Sequence, residues 1–239
     1  SAGCAVRRHF LQAEVDFAVT DSILTSITPE VDMVFLCQPN NPTGQLTPLP
    51  LVERILRRCE ACGALLVVDE CFLDFLPDCD ALTAKALLDS KNLLILKAFT
   101  KLYGMAGVRL GYCLCANTAL LEAMQAAGQP WAVSSLAQAA GLAALDETAY
   151  VAQVRALIAQ QRPLLTAGLR ALGLRVLDGR ANYLLFQGPE TLGHALRQRG
   201  VVLRSCSNYP GLDGSWYRTA VRTGPENDEL LKTLAEVLA

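Results

Sequence analysis

The chain has 239 residues, of which 52% are hydrophobic and 18% charged, and its formal net charge is −2. This length can bury a large core, in one large domain or in a domain and a half. The slightly acidic balance and the absence of a long Lys/Arg run argue against binding to nucleic acid or to an anionic membrane, and no apolar stretch approaches the roughly 20 residues that span a bilayer.

The first half of the chain alternates apolar runs with segments of helical period. The pattern predicts strands at 31–37, 64–69 and 93–96, and helices at 48–62 and 82–88. This rhythm is typical of an α/β fold with a mainly parallel sheet and flanking helices. Ligands bind beyond the carboxyl ends of such strands, and Asn41, Asp69 and Lys101 each follow one. We therefore expect these three side chains to converge on one crevice.

The second half is rich in Ala, Leu and Gln and then turns to shorter strands. It predicts helices at 119–127, 134–145, 149–172, 190–199 and 225–238, and strands at 174–177, 183–186, 201–204 and 217–221. Helices mixed with short strands favour a smaller α+β domain. We therefore predict a large domain over residues 1–145 and a small C-terminal domain over residues 146–239.

Cysteine usage favours a reducing compartment, and we expect a cytoplasmic location. The nine cysteines are odd in number and most lie inside apolar runs, which does not suit a disulfide framework. Cys59 and Cys62 form a CxxC pair without a second pair or nearby histidines, so we expect neither a zinc nor a redox role. We predict no metal site.

Four separated motifs occur in order along the chain. They are Asn-Asn-Pro-Thr-Gly (40–44), Val-Val-Asp-Glu (67–70), Thr-Lys (100–101) and Gly-Val-Arg-Leu-Gly (107–111). Together they resemble the fold-type I pyridoxal-phosphate enzymes of the class I and II aminotransferase superfamily, and the resemblance spans the whole chain. It implies a cofactor-binding large domain followed by a smaller C-terminal domain, and pyridoxal 5′-phosphate as the cofactor.

The resemblance also implies a role for each motif. Lys101 would bind the cofactor covalently and then shuttle protons at the substrate Cα. Asp69 would bind the pyridine nitrogen and keep it protonated, so that these two are the catalytic residues. Asn41 would donate to the phenolic oxygen of the ring, and Thr100 and Arg109 would hold the cofactor phosphate.

Two positions depart from the family pattern. Phe72 is a cofactor-binding position where the family often has Tyr, and its ring cannot donate the hydrogen bond that the tyrosine hydroxyl makes. Ala98 stands where the family usually has a hydroxyl residue that contacts the phosphate. Phosphate binding then depends on Thr100, Arg109 and groups outside this segment. Lys97, although close in sequence, receives no role.

The C-terminal motifs narrow the resemblance. Residues 202–211 and 217–222, together with 69–75, are similar to the branch that decarboxylates threonine phosphate to aminopropanol phosphate in cobalamin biosynthesis, a relative of the histidinol-phosphate aminotransferases. Arg204 and Arg218 would grip the carboxylate and the phosphate of the substrate. The partners implied are a small phosphorylated amino acid or amine as substrate, no nucleic acid, no membrane, and a second copy in a homodimer.

Alternatives stay open at this point. One is an aminotransferase, for histidinol phosphate or a similar amine. Another is a domain that folds without binding the cofactor, since family members carry roughly a hundred further residues ahead of the position that matches Ser1, a length within the size of one domain. We expect the chain to lack that N-terminal part. A Rossmann-type phosphate-binding module is disfavoured, because no GxGxxG motif follows a strand.

Overall fold

The first sheet has four strands, in a computed structural model that describes residues 3–239. They lie in the order β1 (Met33–Cys37), β2 (Leu65–Asp69), β3 (Leu93–Ala98) and β4 (Gly111–Leu114). β1, β2 and β3 are parallel, and β4 runs antiparallel to β3. The predicted α/β fold with a mainly parallel sheet is confirmed.

In the described part of the chain, seven α-helices precede the second sheet. They are α1 (Ile23–Ser26), α2 (Leu49–Cys62), α3 (Cys79–Leu82), α4 (Phe99–Leu102), α5 (Thr118–Ala127), α6 (Ser135–Asp146) and α7 (Thr148–Ala171). Short 3-10 turns lie at Ala13–Val15, Leu73–Phe75 and Ala84–Leu87. The apolar face of α2 packs into the core of the first sheet, where Ile55 and Cys59 are fully buried. Of the helices within residues 3–239, none has both the length and the apolar character to cross a membrane.

The second sheet is antiparallel and lies in the C-terminal part of the chain. Its order is β5 (Arg175–Val176), β6 (Tyr183–Gln187), β8 (Trp216–Ala220) and β7 (Arg204–Ser205). The helices α8 (Leu192–Gln198) and α9 (Gly224–Leu238) pack on it together with the C-terminal half of α7. Their shared core includes the fully buried side chains of Leu165, Phe186 and Leu234.

Two predicted elements differ from the structure. The helix expected at 82–88 is instead the end of α3 and a separate 3-10 turn, because the Thr83 hydroxyl and the Ala84 amide both donate to the carboxylate of Glu70. The strand expected at 201–204 pairs with β8 only at Arg204 and Ser205. Its apolar alternation reflects packing of Val201 and Leu203 on the core, without ladder hydrogen bonds.

Several large apolar side chains remain exposed. In β1 the exposed fractions are 69% for Phe35 and 46% for Met33. In and before α6 they are 83% for Leu136, 70% for Leu142 and 95% for Trp131. Met33 and Phe35 alternate along β1 and so share one face of it. Exposed apolar groups of this size are typical of a surface that a further polypeptide covers.

A candidate ligand site between the two sheets

The carboxyl ends of β1 and β2 bring Asn41 and Asp69 to one edge of the first sheet. Cys37, the last residue of β1, pairs with Asp69 in the β1–β2 register. Burial, and after it the Asp69 carboxylate, raises the pKa of the Cys37 thiol, whereas the backbone amide of Asn41 hydrogen bonds to it and acts in the opposite sense. Cys37 is thus a common neighbour of Asn41 and Asp69.

The loop that carries Asn41 is a tight turn pressed against the second half of the chain. The Gly44 amide donates to the Asn40 carbonyl (2.7 Å), and Asn40 Nδ2 donates to Thr43 Oγ1 (2.8 Å). Gly179 approaches so closely that a Cβ there would lie 2.5 Å from the Thr43 carbonyl oxygen. Asn40 therefore stabilises the turn, and Asn41 is left to reach across to the second sheet.

Asn41 is held by two side chains from the second sheet and the loop beside it. Arg218 Nη1 donates to Asn41 Oδ1 (2.5 Å), and the Tyr209 hydroxyl donates to the same oxygen (3.4 Å). The guanidinium of Arg218 lies 5.1 Å from the centroid of the Tyr183 ring, whose hydroxyl donates to the Asn40 carbonyl (2.9 Å). Asn41 Nδ2 has no partner within residues 3–239, so it is free to donate to a ligand oxygen.

Asp69 and Lys101 are both neighbours of Cys71. Asp69 Oδ1 accepts a hydrogen bond from the Cys71 amide (3.0 Å). Burial raises the pKa of the Cys71 thiol to about 12, with a further contribution from its hydrogen bond to Asp69, while the Lys101 ammonium acts in the opposite sense. Lys101 belongs to the single-turn helix α4, and its Nζ lies 5.3 Å from the centroid of the Phe72 ring. In the part of the chain that the structure describes, neither Asp69 nor Lys101 forms an ion pair.

The segment from β3 to β4 carries the candidate phosphate ligands. Thr100 is half-buried in α4 next to Lys101. Arg109 is exposed in a left-handed conformation (φ 59°), and its Nη1 donates to the Ala106 carbonyl (3.1 Å). β3 and β4 are so close that a Cβ at Gly111 would lie 2.8 Å from a carbonyl oxygen of β3, which accounts for the glycine. Thr100 is thus adjacent to Lys101 in α4, while Arg109 is exposed and its guanidinium contacts its own loop.

The two predicted substrate arginines are direct partners in the second sheet. Arg204 and Arg218 are opposite each other in the antiparallel β7–β8 pair, so their side chains leave the same face. Arg204 is exposed and its Nη2 donates to Asn208 Oδ1 (3.3 Å), whereas the half-buried Arg218 contacts Asn41. Of the two, Arg218 is the one that reaches the residues of the first sheet.

Sequence reasoning missed other residues around this crevice. Lys97 is buried with Glu70 and Asp74, and the rings of Tyr183 and Tyr209 surround Asn41 and Arg218. One signal for Lys97 was present, since strand alternation places it on the face of β3 that also carries the buried Leu93 and Ile95. For an aromatic residue at the start of a strand, such as Tyr183, the sequence pattern is the same whether the residue lines a ligand site or packs in the core.

The donor set fits a phosphorylated aromatic aldehyde. An amine without a counter-charge can bond an aldehyde, an unpaired carboxylate can bind a ring N–H, and a free amide donor can bind a phenolic oxygen. Arg109 and Thr100 add a forked cation and a hydroxyl for a phosphate. Within residues 3–239, no group of three or more His, Cys, Asp or Glu side chains is placed to hold a metal ion.

Comparison with known proteins identifies close relatives. The family model described as "Aminotransferase class I and II" matches residues 2–235. The chain is 37% identical over 241 residues to the threonine-phosphate decarboxylase of Salmonella typhimurium (strain LT2), covering 99% of this chain and 66% of that protein. The chain thus spans just under two thirds of the length of that relative.

Solved structures show the same fold. The histidinol-phosphate aminotransferase from Clostridium acetobutylicum superposes with a TM-score of 0.89 at 27% identity, covering 93% of this chain and 69% of that one. The histidinol-phosphate aminotransferase from Sinorhizobium meliloti, solved in complex with pyridoxal-5′-phosphate, superposes with a TM-score of 0.73 at 28% identity, covering 86% of this chain and 57% of that one.

Proposed function

The chain belongs to the class I and II aminotransferase family, and on that premise we propose that it binds pyridoxal 5′-phosphate and decarboxylates threonine phosphate. The observation that carries the proposal is that Asp69 and Lys101 are both neighbours of Cys71, while Asn41, which Arg218 holds, shares the neighbour Cys37 with Asp69. A carboxylate, a free amine and an amide donor at one sheet edge are the groups that this cofactor requires. The complex of the Sinorhizobium meliloti relative with pyridoxal-5′-phosphate supports the same cofactor.

Each residue has a separate task. When bound, the cofactor supplies an electron sink for the bond that breaks at the substrate Cα. Asp69 would hold a proton on the ring nitrogen. Lys101 Nζ would hold the cofactor covalently until the substrate amine displaces it, and the freed ammonium would then give a proton to Cα in place of the lost CO2. Asn41 Nδ2 donates to the phenolic oxygen, and Thr100 and Arg109 bind the phosphate.

The substrate is recognised through its two anionic groups. Arg218 offers a forked cation at the crevice, and Arg204 lies beside it on the same face of the second sheet. Within residues 3–239 neither arginine forms an ion pair, and two adjacent arginines of this kind suit a small amino acid that carries both a carboxylate and a phosphate. The similarity to a threonine-phosphate decarboxylase over 99% of this chain favours threonine phosphate.

A second candidate is transamination of histidinol phosphate or a similar amine. The TM-score of 0.89 to the Clostridium acetobutylicum histidinol-phosphate aminotransferase favours it. The choice depends on which bond of Cα is aligned with the electron sink, and that in turn depends on where the carboxylate is held. We also propose a cytoplasmic location, because the cysteine usage suits a reducing compartment. We propose a homodimer, because large apolar side chains of β1 and α6 are exposed.

To test for decarboxylation, the chain is incubated with threonine phosphate and pyridoxal phosphate in the absence of any keto acid, and the release of CO2 is measured. We expect CO2 and aminopropanol phosphate in equal amounts. Product that forms only after addition of 2-oxoglutarate, with glutamate and no CO2, would instead establish an aminotransferase. A chain that binds the cofactor but turns over neither threonine phosphate nor histidinol phosphate would contradict both candidates.

Arg218 and Arg204 provide a matched pair of variants. Arg218→Ala removes the forked cation and the hydrogen bond to Asn41 Oδ1, and we expect kcat/KM for threonine phosphate to fall roughly 10- to 100-fold, the worth of one charged hydrogen bond. Arg204→Ala removes an exposed group, and we expect a smaller fall that lies mainly in KM. Steady-state kinetics on both variants check this order. Equal losses, or a larger loss for Arg204→Ala, would contradict the assignment of Arg218 as the more important of the two substrate-binding arginines.

A further inference from the structure

Lys97 lies in a buried ionic cluster that the proposed chemistry does not use. Its side chain is 2% exposed, and Nζ is 3.0 Å from Glu70 Oε2 and 2.8 Å from Asp74 Oδ1. Glu70 is fully buried and Asp74 is 33% exposed. Burial alone would lower the pKa of the Lys97 ammonium, but the two carboxylates outweigh burial and hold that pKa above its ordinary value.

The cluster joins several backbone segments around the candidate site. Glu70 Oε2 accepts from the Thr83 hydroxyl (2.7 Å), and Oε1 accepts from the Ala84 amide (2.7 Å). Arg155 Nε, from α7, donates to the backbone carbonyl of Asp74 (2.9 Å). The charged groups thus connect the ends of β2 and β3 to the 3-10 turn after α3 and to the long helix α7.

The position of the cluster relates it to the site. Glu70 follows Asp69 directly, and its amide donates to the Leu96 carbonyl of β3 (3.0 Å). Lys97 comes next on β3, four residues before Lys101 in the chain. The Lys97–Glu70 ion pair therefore crosses from the strand that ends at Asp69 to the strand that leads into Lys101.

The gain in stability does not by itself explain why Lys97 and Glu70 are charged and buried, with Asp74 partly exposed beside them. Removing charged groups from water is unfavourable, and a neutral set of side chains of similar volume is often as stable or more so. Charged groups with fixed partners do, however, define one arrangement of the segments that they join. The role of such a cluster therefore lies in fixing the relative positions of the backbone segments that it joins.

We propose that Lys97, paired with Glu70 and Asp74, is a positioning residue that fixes the Asp69 carboxylate relative to the Lys101 amine. The inference rests on the proposed function, because the Asp69 carboxylate and the Lys101 amine must both contact the same bound cofactor. Lys97 does not touch the cofactor. It acts through the strand ends, as outer partners of metal-binding side chains act through the ligands that they orient.

The test removes the charges without leaving one unpaired. The variant Lys97→Met/Glu70→Gln/Asp74→Asn keeps the side-chain volumes and makes the cluster neutral. Leu234→Ala is the control, because it opens a cavity in the core of the second sheet and lowers stability away from the cluster. For both variants and the wild-type chain, three properties are measured: the urea midpoint of unfolding, the Kd for pyridoxal phosphate, and the exchange rate of the Cys71 amide.

The expected results separate positioning from stability. The neutral variant should unfold near the wild-type midpoint yet bind the cofactor about ten-fold more weakly, the lower end of what outer partners contribute. Its Cys71 amide, which donates to Asp69 Oδ1, should exchange faster. Leu234→Ala should lower the midpoint and change neither Kd nor the exchange at Cys71.

Three other outcomes would contradict the positioning role of Lys97. A neutral variant with wild-type Kd and wild-type exchange overturns the positioning role and leaves the proposed function intact. Equal weakening of cofactor binding by Leu234→Ala overturns it as well, since instability would then account for the loss. A wild-type chain that binds no cofactor contradicts the proposed function itself, and the inference with it.

Discussion

Lys101→Ala is expected to abolish covalent attachment of pyridoxal phosphate. Lys101 Nζ is exposed beside Phe72 and forms no ion pair in residues 3–239, whereas the neighbouring Lys97 is buried against two carboxylates and cannot replace it. Borohydride reduction fixes the cofactor on the lysine, and a modified lysine resists trypsin. The wild-type chain should therefore yield a labelled peptide over 98–109, which ends at Arg109.

Lys91→Ala is the matched control for that experiment. Lys91 is exposed just before β3, so its loss should leave the label on peptide 98–109 unchanged. Label that persists in Lys101→Ala, or that lies on a different lysine in the wild-type chain, contradicts the assignment of the anchor. A wild-type chain without any label would support the alternative in which the chain folds without binding the cofactor.

Asp69→Asn is expected to lower turnover by about 100-fold or more while covalent attachment at Lys101 persists. The amide oxygen of Asn can still accept the hydrogen bond from the Cys71 amide, so the local turn is kept. The negative charge that holds the ring nitrogen protonated is lost, and a single preorganised electrostatic group of this kind is worth about 10²–10³ in rate. The measurement is kcat with saturating cofactor.

Asp32→Asn provides the charge-matched control. Asp32 is exposed and precedes β1, at the opposite end of the sheet from Asp69. We expect its turnover to equal that of the wild-type chain. A fall below about ten-fold in Asp69→Asn, the size of an ordinary hydrogen bond, would contradict a role for Asp69 in stabilising charge on the cofactor.

The strands and long helices of this fold could be predicted because their sequence patterns are local. Val-Val-Asp at the end of β2 and the apolar run of β3 place Asp69 and the start of α4 at one sheet edge without any tertiary information. The boundary near residue 201 could not be predicted in this way. Val201 and Leu203 alternate as in a strand, and whether they pair depends on β8, which lies further along the chain.

The charged cluster and the contacts of Asn41 escaped prediction for a similar reason. Lys97 and Asp74 are 23 residues apart, and Asn41 and Arg218 are 177 residues apart, so neither pair leaves a periodic signal. The sequence identified Asn41 and Arg218 separately through motifs. That the second sheet holds the Asn41 amide in place is visible only once the sheets are assembled. The roles of Asn41, Asp69, Thr100, Lys101 and Arg109 stay predictions that the experiments above address.

The exposed edge of the first sheet affects how these experiments are run. β1 is the outermost strand of this sheet, and its side chains Phe35 and Met33 are 69% and 46% exposed. An apolar edge strand is a template for pairing with another chain, and such pairing obeys mass action. The fraction of chains in an associated state therefore changes with dilution. Wild-type and variant chains give comparable affinities and rates only at one common protein concentration.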